Sequence, residues 1–221
     1  WIKASKMSIL KYMKLKLPQE LRLYKKNTFL NSEQKDFLIG TILGDGNLRF
    51  VARNREVSLI IDHGMQQKKY VMWKYRIMQN LVLTEPKELH RIYHKDISRK
   101  LTSYRFSTIS HQEFTSWYNI FYKNGTKIIT SNIEEILKSP FSLAVWFMDD
   151  GNKNHKAVFL NTQQFSFLEQ EKLRECLLNN FGLTTTINKH WVYKGKQLYR
   201  IRIDTESTKK LYQLVKDFIV P

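Results

Sequence analysis

Two short stretches of the chain hold side chains that could do chemistry. Asp45-Gly46-Asn47 follows the apolar run FLIGTILG, and Asp149-Asp150-Gly151-Asn152 follows SLAVWFM. Each is a helix-length apolar segment that ends on an acid and then a glycine. The C-terminal end of a helix is the negative pole of its macrodipole, an unfavourable place for a carboxylate. Acids placed there call for a positive partner. Carboxylates are hard oxygen ligands, and Mg2+ binds through one or two of them together with substrate phosphate. Asp-Gly is also a common hairpin turn, so either copy alone reads as a turn. The matched pair after matched helices reads as metal ligation by Asp45 and Asp150.

Something must bring the two acids together. Gly40 and Gly44 are four apart on one helical face, and small residues at that spacing let two backbones approach closely. If the two helices pack side by side, their ends bring Asp45 to Asp150, and a divalent cation would relieve the repulsion. Metals shared between facing carboxylates and a scissile phosphate are the machinery of phosphodiester hydrolysis.

The two stretches belong to a longer repeat. NLVLTEP (80–86) and NFGLTTT (180–186) each close a predicted helix about as far beyond their own Asp-Gly. A duplicated unit of roughly 100 residues fits the common domain size. Each half reads α-β-β-α-β-β-α. In the first, Asn31 and Gln34 form a capping pair for a helix to about Gly44. Strands in NLRFVARN and EVSLIID follow, then a helix with Val71, Tyr75 and Met78 on one face. Strands ELHRIYHK and LTSYRFSTI lead to a helix with Phe114, Trp117 and Phe121, boxed by Ser110 and Glu113. In the second, Ser139 caps and Pro140 takes the first helical position. Strand AVFLNTQ follows, then a helix boxed by Ser166 and Glu169 and stopped by Gly182. Strands TTTINKHWVYK and QLYRIRID precede a last helix. The boundaries are a basic extension over 1–30, a first repeat over 31–125 and a second over 126–221, with a linker over 122–132 that contains Asn-Gly.

Composition narrows the partners. With 37 Lys and Arg against 20 Asp and Glu the net charge is +17, and the usual partners of such a surface are nucleic acid or an anionic membrane. No apolar run approaches the ~20 residues of a membrane span. The segment WIKASKMSILKYMKLKL is basic and amphipathic, a DNA-contacting arm or a surface helix rather than a targeting signal. The lone Cys176 reads as a core thiol. Lys, Ile and Asn are plentiful, which suggests an AT-rich genome, in an organelle or a prokaryotic cytoplasm. QLYRIRID alternates, with Arg200, Arg202 and Asp204 on one face and Tyr199, Ile201 and Ile203 on the other. A two-stranded ribbon of this kind fits the major groove, where Arg bonds bidentately to guanine; the bland reading is a solvated strand face. His90 and His94 lie on a strand and do not have helical zinc spacing. Trp73, Tyr75 and Trp117 read as core.

LIGTILGDG (38–46) and LAVWFMDDG (143–151) match the nine-residue motif of the LAGLIDADG homing endonucleases, and over residues 31–221 the chain resembles their monomeric two-motif branch. The resemblance implies an α+β fold: two pseudo-twofold-related halves, antiparallel sheets forming a DNA-binding saddle, and the motif helices packed at the centre through Gly40, Gly44 and Ala144. It implies that Asp45 and Asp150 bind the catalytic metal, with Gly44 and Asp149 beside it. Asp149 and Val145 replace residues that are usually small, so a wider helix interface is expected at Val145. A basic catalytic residue falls at Lys127, which by itself reads as a surface lysine; its counterpart would fall a few residues beyond Pro221. Arg49, Arg53, Arg55, Arg105, Lys153, Gln163, Arg200 and Arg202 become DNA contacts. The implied activity is cleavage of both strands of a long asymmetric double-stranded DNA site, with staggered ends, by a monomer using Mg2+, whose place Mn2+ or Ca2+ could take. The alternative is an intron-encoded maturase that binds intron RNA.

Overall fold

The computed structural model describes residues 18–51, 56–93, 96–154 and 157–220. Arg53, Arg55, His94 and the basic segment 1–17 lie outside them. The chain divides into two compact units, one chiefly of residues 18–34 and 46–118, the other of 35–45 and 119–219. The division cuts across the sequence repeat, because residues 35–45 of the first motif group with the second motif.

The first unit begins with α1 (Pro18–Lys26) and the first turn of α2 (Ser32–Leu43). The Asn31 side chain accepts from Gln34 N–H at 2.8 Å and the Gln34 side chain accepts from Asn31 N–H at 3.2 Å, the reciprocal cap expected from the sequence. Strands β1 (Asn47–Phe50), β2 (Val57–Gly64), β3 (Lys87–Tyr93) and β4 (Asp96–Ser107) form an antiparallel sheet in the order β1-β2-β4-β3. Leu48, Leu59, Ile61 and Phe106 are buried on one face, and α3 (Lys68–Met78) covers β2 and β4 with Val71, Tyr75 and Met78. Burying each such side chain contributes about 1.5–3 kcal/mol.

Helix α4 (Gln112–Phe121) departs from the expected cap. His111, not Ser110, sits at its start: the His111 carbonyl accepts from Thr115 N–H, and its Nδ1 accepts from Glu113 N–H at 3.2 Å. Ser110 Oγ instead meets Lys25 Nζ and Glu56, and the Glu113 carboxylate accepts from Leu30 N–H at 2.6 Å. Distant partners have taken both members of the predicted box.

In the second unit, β5 (Tyr122–Lys123) and β6 (Thr126–Lys127) make a hairpin where a linker was expected. Asn124 and Gly125 take φ of 51° and 77°, the conformation that Asn-Gly favours in two-residue hairpin turns. After α5 (Ile133–Ile136), helix α6 (Pro140–Asp150) starts as predicted, the Ser139 side chain accepting from Phe141 N–H and Pro140 filling the first turn. Strands β7 (Gly151–Asn154), β8 (Ala157–Leu160), β9 (Thr185–Tyr193) and β10 (Lys196–Ile203) form a second antiparallel sheet in the order β7-β8-β10-β9. The polar GNKN of β7 showed no strand alternation. Helix α7 (Phe167–Phe181) carries the predicted Ser166/Glu169 box and ends at Gly182 with φ 59°. Asp204 leaves the strand pattern to cap α8 (Thr205–Val215), accepting from Ser207 N–H at 2.7 Å. Cys176 is buried as expected, and burial, with Glu134 nearby, pushes its thiol up to about 12.

Buried Gln170 fastens the loop after β8. Its Nε2 donates to the carbonyls of Thr162, Phe165 and Tyr199, and its Oε1 accepts from Thr162 Oγ1 at 2.9 Å. Ile201 N–H donates to the same Thr162 hydroxyl. An unmade bond at such a buried site would cost about 1–3 kcal/mol; this network leaves the loop 161–164 fixed beside the end of α6.

Candidate metal centre

Helices α2 and α6 meet at Gly40. A Cβ added there would lie 2.3 Å from the Ser142 carbonyl oxygen and 2.8 Å from Val145 Cβ. Only a residue without a side chain fits, and the interface at Val145 is tight rather than widened. Ser142 Oγ ties the helices together by donating to the Asp36 carbonyl at 2.7 Å. Ala144 is buried, but the atoms facing Gly40 belong to Ser142 and Val145. One turn on, a Cβ at Gly44 would lie 2.4 Å from Asp149 Cβ. The glycine spacing read from the sequence therefore sets the approach that brings three acids to one place.

Asp45, Asp149 and Asp150 stand at the joined C-terminal ends. Asp45 N–H donates to Asp149 Oδ2 at 3.3 Å, and carboxylate oxygens of these two residues lie within 4.8 Å. Asp150 is 9% exposed. Burial first, then the charges of Asp45 and Asp149, push its carboxyl up to about 8, while Lys127 and the Trp146 indole pull the other way. The indole falls short of hydrogen-bond geometry: Trp146 Nε1 and Asp150 Oδ2 are both buried without a hydrogen-bond partner. Lys127 Nζ donates to the Gly44 carbonyl at 2.8 Å, so the hairpin β5–β6 delivers an ammonium to the C-terminal end of α2, where a cation is favoured. That carbonyl, expected beside the metal, is engaged by the lysine.

This set fits a divalent cation. Two hard oxygen donors, those of Asp45 and Asp149, lie within 4.8 Å of one another, Asp150 is near enough to feel both their charges, and one of its oxygens is buried and unpaired. Asp45, Asp149 and Asp150 are the residues that could hold the ion. The chain around them returns to the site through the loop after β8: Asn161 N–H donates to the Asp150 carbonyl at 3.0 Å, Gln163 Nε2 donates to Asn161 Oδ1 at 3.3 Å, and Gln164 Nε2 reaches the Leu43 carbonyl at 3.5 Å. Gln164 and Trp146 escaped the sequence reading. Trp146 could have been found, since it precedes Asp150 by one helical turn.

The model of the LAGLIDADG DNA endonuclease family matches residues 35–211. The chain belongs to that family. Among similar proteins, the probable intron-encoded endonuclease 1 of Wickerhamomyces canadensis is 31% identical over 206 residues, covering 90% of this chain and 85% of the relative. The cytochrome b mRNA maturase bI2 of Debaryomyces hansenii is 27% identical over 198 residues, covering 88% and 73%. The structure of the homing endonuclease I-WcaI bound to its DNA recognition sequence matches with a TM-score of 0.84 and 31% identity, covering 96% of this chain and 94% of that one. The fold is the LAGLIDADG fold, and both nine-residue motifs lie within the matched region. Among the described residues no helix is long and apolar enough to cross a membrane.

Each sheet of this LAGLIDADG chain turns a polar face away from its helices. In the first sheet the register aligns Asp62 with Arg105, and Arg105 with Lys87. Arg91 donates to Asp62, and Arg105 Nη1 lies 3.9 Å from the same carboxylate. Arg49, opposite Ser58, shares this face. Neither Asp62 nor Arg91 was singled out by the sequence. In the second sheet Ile201 and Ile203 are buried, and Arg200 and Arg202 alternate to the other face. The Arg200 guanidinium lies 3.8 Å above the Phe159 ring. Lys153 is opposite Val158, which is fully buried, whereas Arg202 is opposite Phe159. Lys153 therefore belongs to the other side, at the edge beside Glu206 and Tyr212, and is not part of the arginine face.

Proposed function

We propose that this protein is a homing endonuclease that cuts both strands of a long asymmetric duplex by divalent-metal-dependent hydrolysis, leaving staggered ends, with Mg2+ as the working ion. The convergence of Asp45, Asp149 and Asp150 at the ends of two close-packed helices carries the reading. A divalent ion bound there supplies Lewis acidity toward a scissile phosphate. Asp45 and Asp150 come from different motifs of one chain, so a single copy provides both acids and the site it reads need not be palindromic. Lys127, anchored on Gly44, sets a positive charge beside the acids, where charge develops on the phosphate. The outer faces of the two sheets supply DNA contacts, with Arg49, Arg105, Arg200 and Arg202 as groove-facing cations and Gln163 beside the metal centre.

The deciding measurement is cleavage of a selected duplex by Asp150→Asn. Cutting in Mg2+ falls by roughly 10²–10³-fold or more, while affinity for the duplex stays within a few-fold. Unchanged cutting would remove Asp150 from the metal centre. A second reading draws on the maturase relative: a protein that stabilises folded intron RNA on this scaffold. Such a role needs neither Asp45 nor Asp150, so splicing help that persists in the Asp150→Asn protein separates the two. The AT-rich residue usage and the cytochrome b transcript named for that relative favour an organelle as the place of action.

A further inference from the structure

The outer face of the second sheet ends in a feature that the cleavage site does not use. Tyr199 pairs with Lys189 and Gln197 with Val192, so two steps along β10 match three along β9. The extra residue falls at His190–Trp191. A bulge of this kind re-aims side chains and breaks the strict alternation of faces. Here it places two consecutive rings together, His190 and Trp191 having centroids 4.1 Å apart at 34°. Trp191 is 54% exposed. Burial and the nearby Arg200 charge hold the His190 imidazole below its ordinary value, which fits a neutral ring on the Arg200 side of the strand.

The surroundings select the partner. Residues 185–203 carry Lys189, Lys194, Lys196, Arg200 and Arg202 and no acid. Arg200 is braced on Phe159, and its Nε is buried without a hydrogen-bond partner. An exposed ring pair in a hairpin that carries five cations and no acid complements a polyanion that also presents an apolar group. In a duplex the base faces are covered by stacking and only the edges are open. The apolar feature of the major-groove edge is the 5-methyl group of thymine.

We propose that the His190–Trp191 shelf is a specificity-determining contact for a thymine methyl in the outer part of the second half-site, adjacent to the base contacted by Arg200. The proposal rests on the DNA-cleavage reading given above and adds residues to it. The rings exclude water from the methyl, and the bulge holds them without help from the ligand.

The test is duplex selection from a randomised library with the full chain, followed by the same selection with Trp191→Ala. The wild-type protein enriches thymine at one outer position, and Trp191→Ala loses that preference while keeping the rest of the site. Replacing that thymine by deoxyuridine weakens wild-type binding about fourfold, the value of one buried methyl, and leaves Trp191→Ala binding unchanged. Trp191→Phe, which keeps an apolar ring, restores part of the discrimination. The idea is overturned if Trp191→Ala retains every base preference, or if it weakens all sequences equally as a backbone contact would. It is also overturned if the rings prove to hold a second copy of the chain, seen as a concentration-dependent dimer abolished by Trp191→Ala. Failure of the underlying reading looks different: the wild-type protein itself enriches no duplex and binds structured RNA instead.

Discussion

The two sheets share a topology but not a charge pattern. On the first, Arg91 and Arg105 converge on Asp62. On the second, Arg200 leans on an aromatic ring, and Arg202 has no acid partner among the described residues. The two motif acids differ in the same spirit: Asp45 is exposed and Asp150 is buried. The two sheets share one strand order, while the environments of their charged groups differ. Burial, more than residue identity, decides what each copy's acid does, because a carboxylate removed from water holds its charge only when something positive shares the site.

The largest contrast should therefore appear between the acids when metal is withheld. An ordinary aspartate ionises near 3.8, and Asp150 is pushed up to about 8. Between those values the unfolded chain has lost this proton and the folded chain keeps it. Raising pH through that window therefore lowers the stability of the metal-free fold, and the loss is complete above about 8. In EDTA the melting temperature should drop between pH 5 and pH 8, and Mg2+ should recover it by binding the folded state alone. Asp150→Asn removes the slope and melts higher than wild type at pH 8 without metal. Asp45→Asn changes the slope far less. A metal-free melting temperature that is flat with pH would refute the buried-acid account.

Next in size is the helix contact that builds the site. Gly40→Ala drives a methyl into the Ser142 carbonyl, a backbone atom that cannot swing away. Overpacking of this kind costs about 1–3 kcal/mol. For a chain of this length that corresponds to a fall of roughly 2–4 °C per kcal/mol in melting temperature. Cleavage should fall further than stability explains, since the acids downstream separate. A Gly40→Ala protein with unchanged melting and cutting would show that the helices are looser than the close approach indicates.

The repeat, the motif glycines and the paired acids were legible in the sequence because they depend on local spacing. Period 3.6 places Gly40 and Gly44 on one face, and the caps at Asn31, Ser139 and Ser166 are set by neighbours two or three residues away. What stayed hidden depends on distant partners. Glu113 was drawn from its local box to Leu30, and Asp62 looked like one polar residue among others until the register set it against Arg105. Lys127 was placed in a linker, yet the Asn124-Gly125 turn folds that stretch into a hairpin and brings the ammonium to Gly44. The bulge at His190–Trp191 left no mark on the pattern, because it is defined only by the partner strand.

The smallest expected effects bear most directly on the contrast between the sheets. A cation already facing a carboxylate offers less to a phosphate or a guanine than one facing none. Arg202→Ala should thus weaken duplex binding more than Arg105→Ala, measured side by side at one salt concentration. If Arg202 neutralises a phosphate, its removal also lowers the slope of log K against log salt by about 0.9. If it reads a base, the preference at one position relaxes instead. Asp62→Asn releases Arg91 and Arg105, so duplex affinity at low salt should rise a few-fold and Arg105→Ala in that background should cost as much as Arg202→Ala does. Equal losses for the two arginines in the wild-type chain, with no gain from Asp62→Asn, would mean that Asp62 orients its arginines for DNA rather than restraining them.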